Sequence, residues 1–131
     1  MKAKTNTLTG IPLNYIVAVC EKVSSFLIEE GYCQGGKLVQ SGKYDWPNDC
    51  YIELNYSTDW AQGGPILSRE HISRTIDHSG LWIAYWTDGY TEGDEGKKWM
   101  QCDRSELVAG LRCYVASKLG EEVDVPEELM K

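Results

Sequence analysis

The sequence predicts an α+β fold: an antiparallel sheet of four to six strands packed by two helices, at about 11–22 and 104–119. Three observations lead there. Apolar residues recur at helical spacing in those two stretches. The segments between them alternate with a period near two, and their connections are dense in Gly, Pro and Asp/Asn. At 131 residues the chain forms a single domain, 1–131, with residues 121–131 as an acidic C-terminal tail.

Thr9-Gly10 precede the first helix, and Pro12 is tolerated in its opening turn. Leu13, Ile16, Val17 and Cys20 follow the i, i+3, i+4, i+7 template of a buried face. Tyr15 and Val19 add a second apolar row, so this helix is expected to be covered on more than one side. It is too short to span a bilayer. Residues 25–29, 36–40 and 50–54 read as short strands, with a loop at 44–49 where Pro47 and Asn48 cluster with aspartates. Residues 70–76 form an imperfect amphipathic strand with Ile72, Arg74 and Ile76 on one face. Residues 80–86 are the most apolar run and predict a central strand, Trp82, Ala84 and Trp86 on one face and Leu81, Ile83 and Tyr85 on the other. Residues 87–98, rich in Gly and charge, read as a mobile loop.

The second helix has the plainest signals. Asp103 is placed to cap it, with Glu106 three residues on, and Gly120 stops it with Lys118 in the last turn. Leu107, Val108, Leu111, Tyr114 and Val115 make its buried stripe. At 100° per residue, Arg112 flanks that stripe. It is either a snorkelling side chain covering apolar surface or a guanidinium over a pocket rim. The tail that follows is either packed through Val123, Val125 and Leu129 or frayed.

Composition narrows the function. Residues 121–131 hold five acids and one lysine, net −4, so the other 120 residues account for only −3 of the formal −7. With no Lys/Arg cluster, duplex nucleic acid is not an expected partner. Five Trp and eight Tyr against one Phe favour half-wet surfaces that meet ligands or partners. The five cysteines lack paired spacing and no long apolar run is present, which reads as reduced thiols in a cytoplasm without a structural zinc or a membrane segment. His71 and His78 are the only histidines, and no nucleophile–base or metal-ligand pattern surrounds them. No enzymatic activity and no cofactor are expected.

The most distinctive stretch is Ser57 to Glu70. Gly63-Gly64-Pro65 reads as a shaped turn that neither a helix nor a central strand crosses. Asp59 or Ser57 is placed to cap a short turn ahead of it. The loop is either structural, pinned by a buried Trp60, or a binding loop in which Trp60 stacks on a planar ligand and glycine N–H groups meet an anion.

Three motifs resemble one family. Leu8-Thr9-Gly10 before the first helix, Tyr56 to Ile66, and Leu111 to Val123 look like the NinX family of small phage and prophage proteins of unknown function, related to the phage ABA sandwich domain. The resemblance covers nearly the whole chain. The chain departs from it at 87–102, an acidic, Gly-rich insertion where the family has a short Gly-Pro-Thr-Pro-like lead-in. A more distant likeness, at fold level, is to phage sponge proteins that defeat Thoeris immunity by sequestering a cyclic ADP-ribose signal. Those are non-catalytic oligomers holding the ligand between an aromatic side chain and arginines of the last helix. Arg112 and Trp60, or Trp82/Trp86, are the counterparts by residue type. The resemblance implies a cytoplasmic, non-enzymatic homo-oligomer that binds a nucleotide-like signal, of cyclic ADP-ribose or cyclic dinucleotide type. Trp60 would stack, Arg69 and Arg112 would meet phosphate, and Asp59, Gln62, Gly63 and Gly64 would shape the pocket. The rival expectation is a protein–protein adaptor or host-factor antagonist using the Trp/Tyr-rich surface.

Overall fold

Helix α3 (Glu106–Leu119) is the axis of the molecule, buried without a break from Leu107 to Ala116. A helix apolar on all sides needs cover on all sides. The computed structural model, which describes residues 1–28, 37–45, 50–87 and 97–130, supplies that cover from several directions. Helices α1 (Gly10–Cys20) and α2 (Trp60–Arg69) pack on α3. So does an antiparallel sheet of β5 (Ser73–Ile76), β6 (Trp82–Thr87) and β7 (Lys97–Asp103), in the order β5-β6-β7. A second sheet joins β2 (Ser25–Ile28), β3 (Lys37–Asp45) and β4 (Cys50–Glu53), with β3 lying against α1. The third is a two-stranded ribbon of β1 (Lys2–Lys4) and β8 (Glu122–Asp124), pairing Lys4 with Glu122. One core cluster runs through Leu13, Ile16, Leu67, Leu111, Tyr114 and Val125.

The α+β class stands, with three α-helices and three small antiparallel sheets among the described residues in place of one sheet and two helices. Residues 80–86 do hold the central strand, whose Ala84 is fully covered by α3, while Ile83 and Tyr85 on the other face are half-buried. The tail is tied down: β8 pairs with β1, and Val123, Val125 and Leu129 are buried. In α1, Leu13, Ile16 and Val17 are buried as their spacing predicts, whereas Val19 is exposed, so the second apolar row is not closed. Ser105, not Asp103, caps α3, its Oγ accepting from the Val108 N–H at 3.2 Å. Asp103 stands one step back and accepts from the Ser105 N–H at 2.8 Å. Of the loop expected at 87–98, residues 88–96 lie outside the described residues, while Thr87 ends β6 and Lys97 and Lys98 begin β7; of the earlier loop, 46–49 lie outside the described residues and 44–45 end β3.

The Gly63-Gly64-Pro65 expectation needs correcting: the tripeptide lies inside α2. Neither of these glycines has a positive φ, so neither serves as a turn residue. Gly63 is there for contact. A Cβ at this position would collide with the Tyr56 carbonyl oxygen and lie 2.8 Å from Leu107 Cδ1. The notch is reciprocated on α3, where a Cβ on Gly110 would meet Leu67 Cδ1 at 2.6 Å. Each helix offers a glycine to a leucine of the other, which brings the two backbones together. Pro65 removes only the N–H that would reach Ala61, an exposed residue whose carbonyl solvent can serve.

Overpacking costs on the order of 1–3 kcal/mol. Gly63→Ala and Gly110→Ala are each expected to destabilise by about 2 kcal/mol in urea melts, although alanine is the better helix former by about 1 kcal/mol. Gly64→Ala, whose Cβ would meet only the movable Trp60 ring at 3.2 Å, should stay within about 0.5 kcal/mol of the parent.

Candidate functional site

The residues nominated in the Ser57–Glu70 stretch are engaged by the fold itself. Asp59 caps α2, Oδ1 accepting from the Ala61 N–H at 2.9 Å. Gln62 clamps the β4–α2 connection, accepting from the Asn55 N–H at 2.7 Å and donating to the Glu53 carbonyl at 2.9 Å. Gly63 is the packing notch, and Gly64 lies beneath the Trp60 ring. Trp60 is not a buried pin: it is half-exposed at the helix start, with Arg74 stacked 5.9 Å from its ring. Arg74 is itself held by Glu106 at 3.0 Å and by the Ile72 carbonyl at 3.1 Å.

Arg69 sits at the other end of α2, about 13 Å from Trp60 at 1.5 Å per residue. Its guanidinium makes a two-pronged pair with Glu21, at 2.9 and 2.6 Å, and a third bond to Glu70 at 3.1 Å. Lys118 reaches Glu70 at 2.9 Å, and the Tyr114 hydroxyl donates to Glu21. These contacts lash together the C-terminal ends of α1, α2 and α3. Arg69 and Tyr114 hold the Glu21 carboxyl below the usual carboxylate range against the opposing effect of burial. Lys118 and then Arg69 do the same for Glu70. Burial, aided by the bond to Glu21, pushes the Tyr114 phenol up. Burial likewise raises Cys113 to about 12 and, with Glu21 alongside, Cys20 to about 11, so both thiols stay protonated and inert.

Arg112 matches neither sequence reading. It is 5% exposed, and it joins three segments from within. Its Nε donates to the Leu8 carbonyl at 2.8 Å; Nη1 donates to the Cys102 carbonyl at 2.9 Å and to Asp103 at 3.1 Å. Trp60, Arg69 and Arg112 therefore serve three separate places and do not converge on one cleft.

A different place has the character of a site. Between the outer edge of β7 and the β1/β8 ribbon runs a groove of about 800 Å³, bordered by Lys4, Asn6, Cys102, Glu121 and Glu122. It is continuous, through Met100, Gln101 and Glu121, with a second hollow of about 420 Å³ lined by Trp99 and Ala116. The β6–β7 register creates its aromatic wall. Ala84 pairs with Gln101 and Trp86 with Lys98, so Trp99 and Met100 both stand opposite Tyr85. That is a β-bulge, a device that re-aims side chains. Trp99 takes a φ of 59°, a conformation a bulky residue adopts only under constraint, and both bulge side chains are more than 40% exposed. Gln101 beside them is 8% exposed, and its buried Oε1 has no hydrogen-bond partner. Sequence reading missed this set because the start of β7 fell in the loop expected at 87–98 and residues 99–102 were assigned to no strand; the one available signal was Trp99-Met100 inside an otherwise polar segment.

Among the described residues no group of His, Cys, Asp and Glu could hold a metal ion, and no helix is long and apolar enough to cross a membrane. A family model described as bacteriophage P22 NinX matches residues 4–118. Similarity is also found to Protein RecA of Enterococcus mundtii and of Enterococcus faecium, each 30% identical over 79 residues. Protein RecA of Enterococcus hirae is 29% identical over the same length. Each alignment takes in 59% of this chain but 23% of the RecA protein, so the chain spans less than a quarter of those relatives.

Two measurements check the structural roles. Arg112→Lys keeps the charge but not the forked donors, and is expected to cost about 2 kcal/mol in chemical denaturation; unchanged stability would contradict the clamp. For Glu21, whose folded pKa is lowered, the stabilisation is fully present above about 4.5 and is lost as pH falls through the folded value. Glu21→Gln should thus lose about 1 kcal/mol at pH 7, allowing for the half-exposed Arg69. Melts of the two proteins should converge only once the pH has fallen through the lowered folded value.

Proposed function

The chain belongs to the bacteriophage P22 NinX family, and from the groove along β7 we propose that it is a non-enzymatic protein that binds a small nucleotide-like molecule there. Sequestering an immune signal of cyclic ADP-ribose or cyclic dinucleotide type is the form such binding takes in this reading. The observation that carries it is the pairing of an exposed, bulge-presented Trp99 with the unpartnered amide oxygen of Gln101 on one concave surface. An indole face is a stacking platform for any base. A buried polar atom without a partner costs about 1–3 kcal/mol, a cost that a bound donor removes. Trp60, Arg69 and Arg112 leave the ligand set, since each is engaged within the fold.

A second reading, an adaptor that docks on a host protein, draws on a different observation. Trp60 and Ile76 are each about half exposed, and Arg74, which stacks on Trp60, lies two residues before Ile76 on the same face of β5. Aromatic side chains of this kind anchor protein interfaces.

Incubating the protein with cyclic ADP-ribose isomers and cyclic dinucleotides, then measuring the free molecule, separates the two. Depletion of one signal is expected. Trp99→Ala should weaken it by on the order of tenfold or more, the worth of one stacked base, while Trp60→Ala should not. Absence of depletion, together with stoichiometric recovery of a host protein that Trp60→Ala abolishes, would favour the adaptor.

A further inference from the structure

We infer that the groove reads the base end of its ligand, through an edge presenting an amino donor beside a ring-nitrogen acceptor, as adenine does; this rests on the ligand-binding reading above. The reader is Gln101. Its Oε1 is buried and has no hydrogen-bond partner. A glutamine amide offers an acceptor and a donor side by side, the complement of the adenine N6–N7 edge. Trp99, two residues along β7 and lining the same hollow, is placed to stack on a heterocycle held by that amide. Since Oε1 lies just beneath the wall, a donor reaches it after a rotation of the terminal amide or of an exposed neighbour such as Met100.

Charge settles which end of a nucleotide enters. Among the described residues that line it, the groove carries two carboxylates, Glu121 and Glu122, against the one cation of Lys4, and Lys4 stands directly across the β1/β8 ribbon from Glu122. A phosphate placed here meets like charge and finds no forked arginine. Arg104, three residues along, donates to the Ser79 carbonyl at 3.3 Å, and Arg112 points its donors at Leu8, Cys102 and Asp103. The sugar and any phosphates are left at the open mouth, toward solvent.

The test is calorimetric titration of the intact protein with adenosine, AMP and purine riboside, together with the cyclic signals named above. Adenosine should bind, AMP no tighter than adenosine, and purine riboside at least tenfold weaker, because it lacks the exocyclic amine and offers no N–H donor on any base edge. Gln101→Met should abolish that preference. The same change removes an unpaired buried amide, so the variant should melt at or above the parent temperature, and loss of binding would not be loss of fold. Purine riboside binding as well as adenosine, AMP binding tenfold tighter than adenosine, or a cyclic signal whose binding Gln101→Met leaves unchanged would overturn the inference and leave the groove standing. No binding by any of these compounds would overturn both.

Discussion

The close approach of α2 to α3 is the constraint on which the rest of the molecule depends. It is made by two glycine–leucine contacts of opposite sense, Leu107 over Gly63 and Leu67 over Gly110. Helices that meet through side chains stand about 8–10 Å apart; glycine notches let backbones come nearer and exclude any substitution that adds a carbon. With α2 seated this deeply, the Tyr56 carbonyl lies directly under it, and the β4–α2 connection must be tied at both ends. Gln62 and Asp59 supply those ties, and the Arg69–Glu21–Glu70–Lys118 group closes the far end. Polar side chains that look free for a ligand in one dimension are thus the fastenings that hold the two helices at contact distance.

This explains what could be read from the chain and what could not. Elements whose signal is local were legible: the stripe from Leu107 to Val115, the Gly120 stop, the central strand at 80–86, the buried face of α1. Gly63-Gly64-Pro65 was misread because local chemistry makes glycine and proline punctuation, while here a tertiary contact decides. Glycine at 63 answers a carbonyl and a leucine brought from other parts of the sequence, and no window of the chain contains that information. Arg112 failed for a related reason. Its flanking angle was right, but it takes the arrival of Leu8 and Cys102 to turn a rim residue into an internal clamp. Strand β7 was hidden by its bulge, which puts two residues opposite one and breaks the alternation by which strands are recognised.

Among the described residues, the two buried side-chain polar atoms that lack partners show how a local inconsistency can be weighed. Ser57 Oγ and Gln101 Oε1 are both buried and both unbonded. Ser57 lies in the core, where its own N–H is already met by Asn14 at 2.8 Å. A hydroxyl turns freely about one bond, so a slight rotation or a single water satisfies it without consequence for the surface. Gln101 differs in each respect. Its amide is planar, cannot hide one end by spinning a proton, and stands in a strand already distorted so that Trp99 and Met100 face outward. Lys22 and His71 also take positive φ, but just past the C-terminal caps of α1 and α2, where helices commonly end that way; Trp99 does so inside a strand that also carries the orphaned amide, where a groove opens. Strain and an unmet hydrogen bond two residues apart on one strand are costly to fold stability alone, and they become useful when a molecule arrives that stacks on the one and bonds to the other.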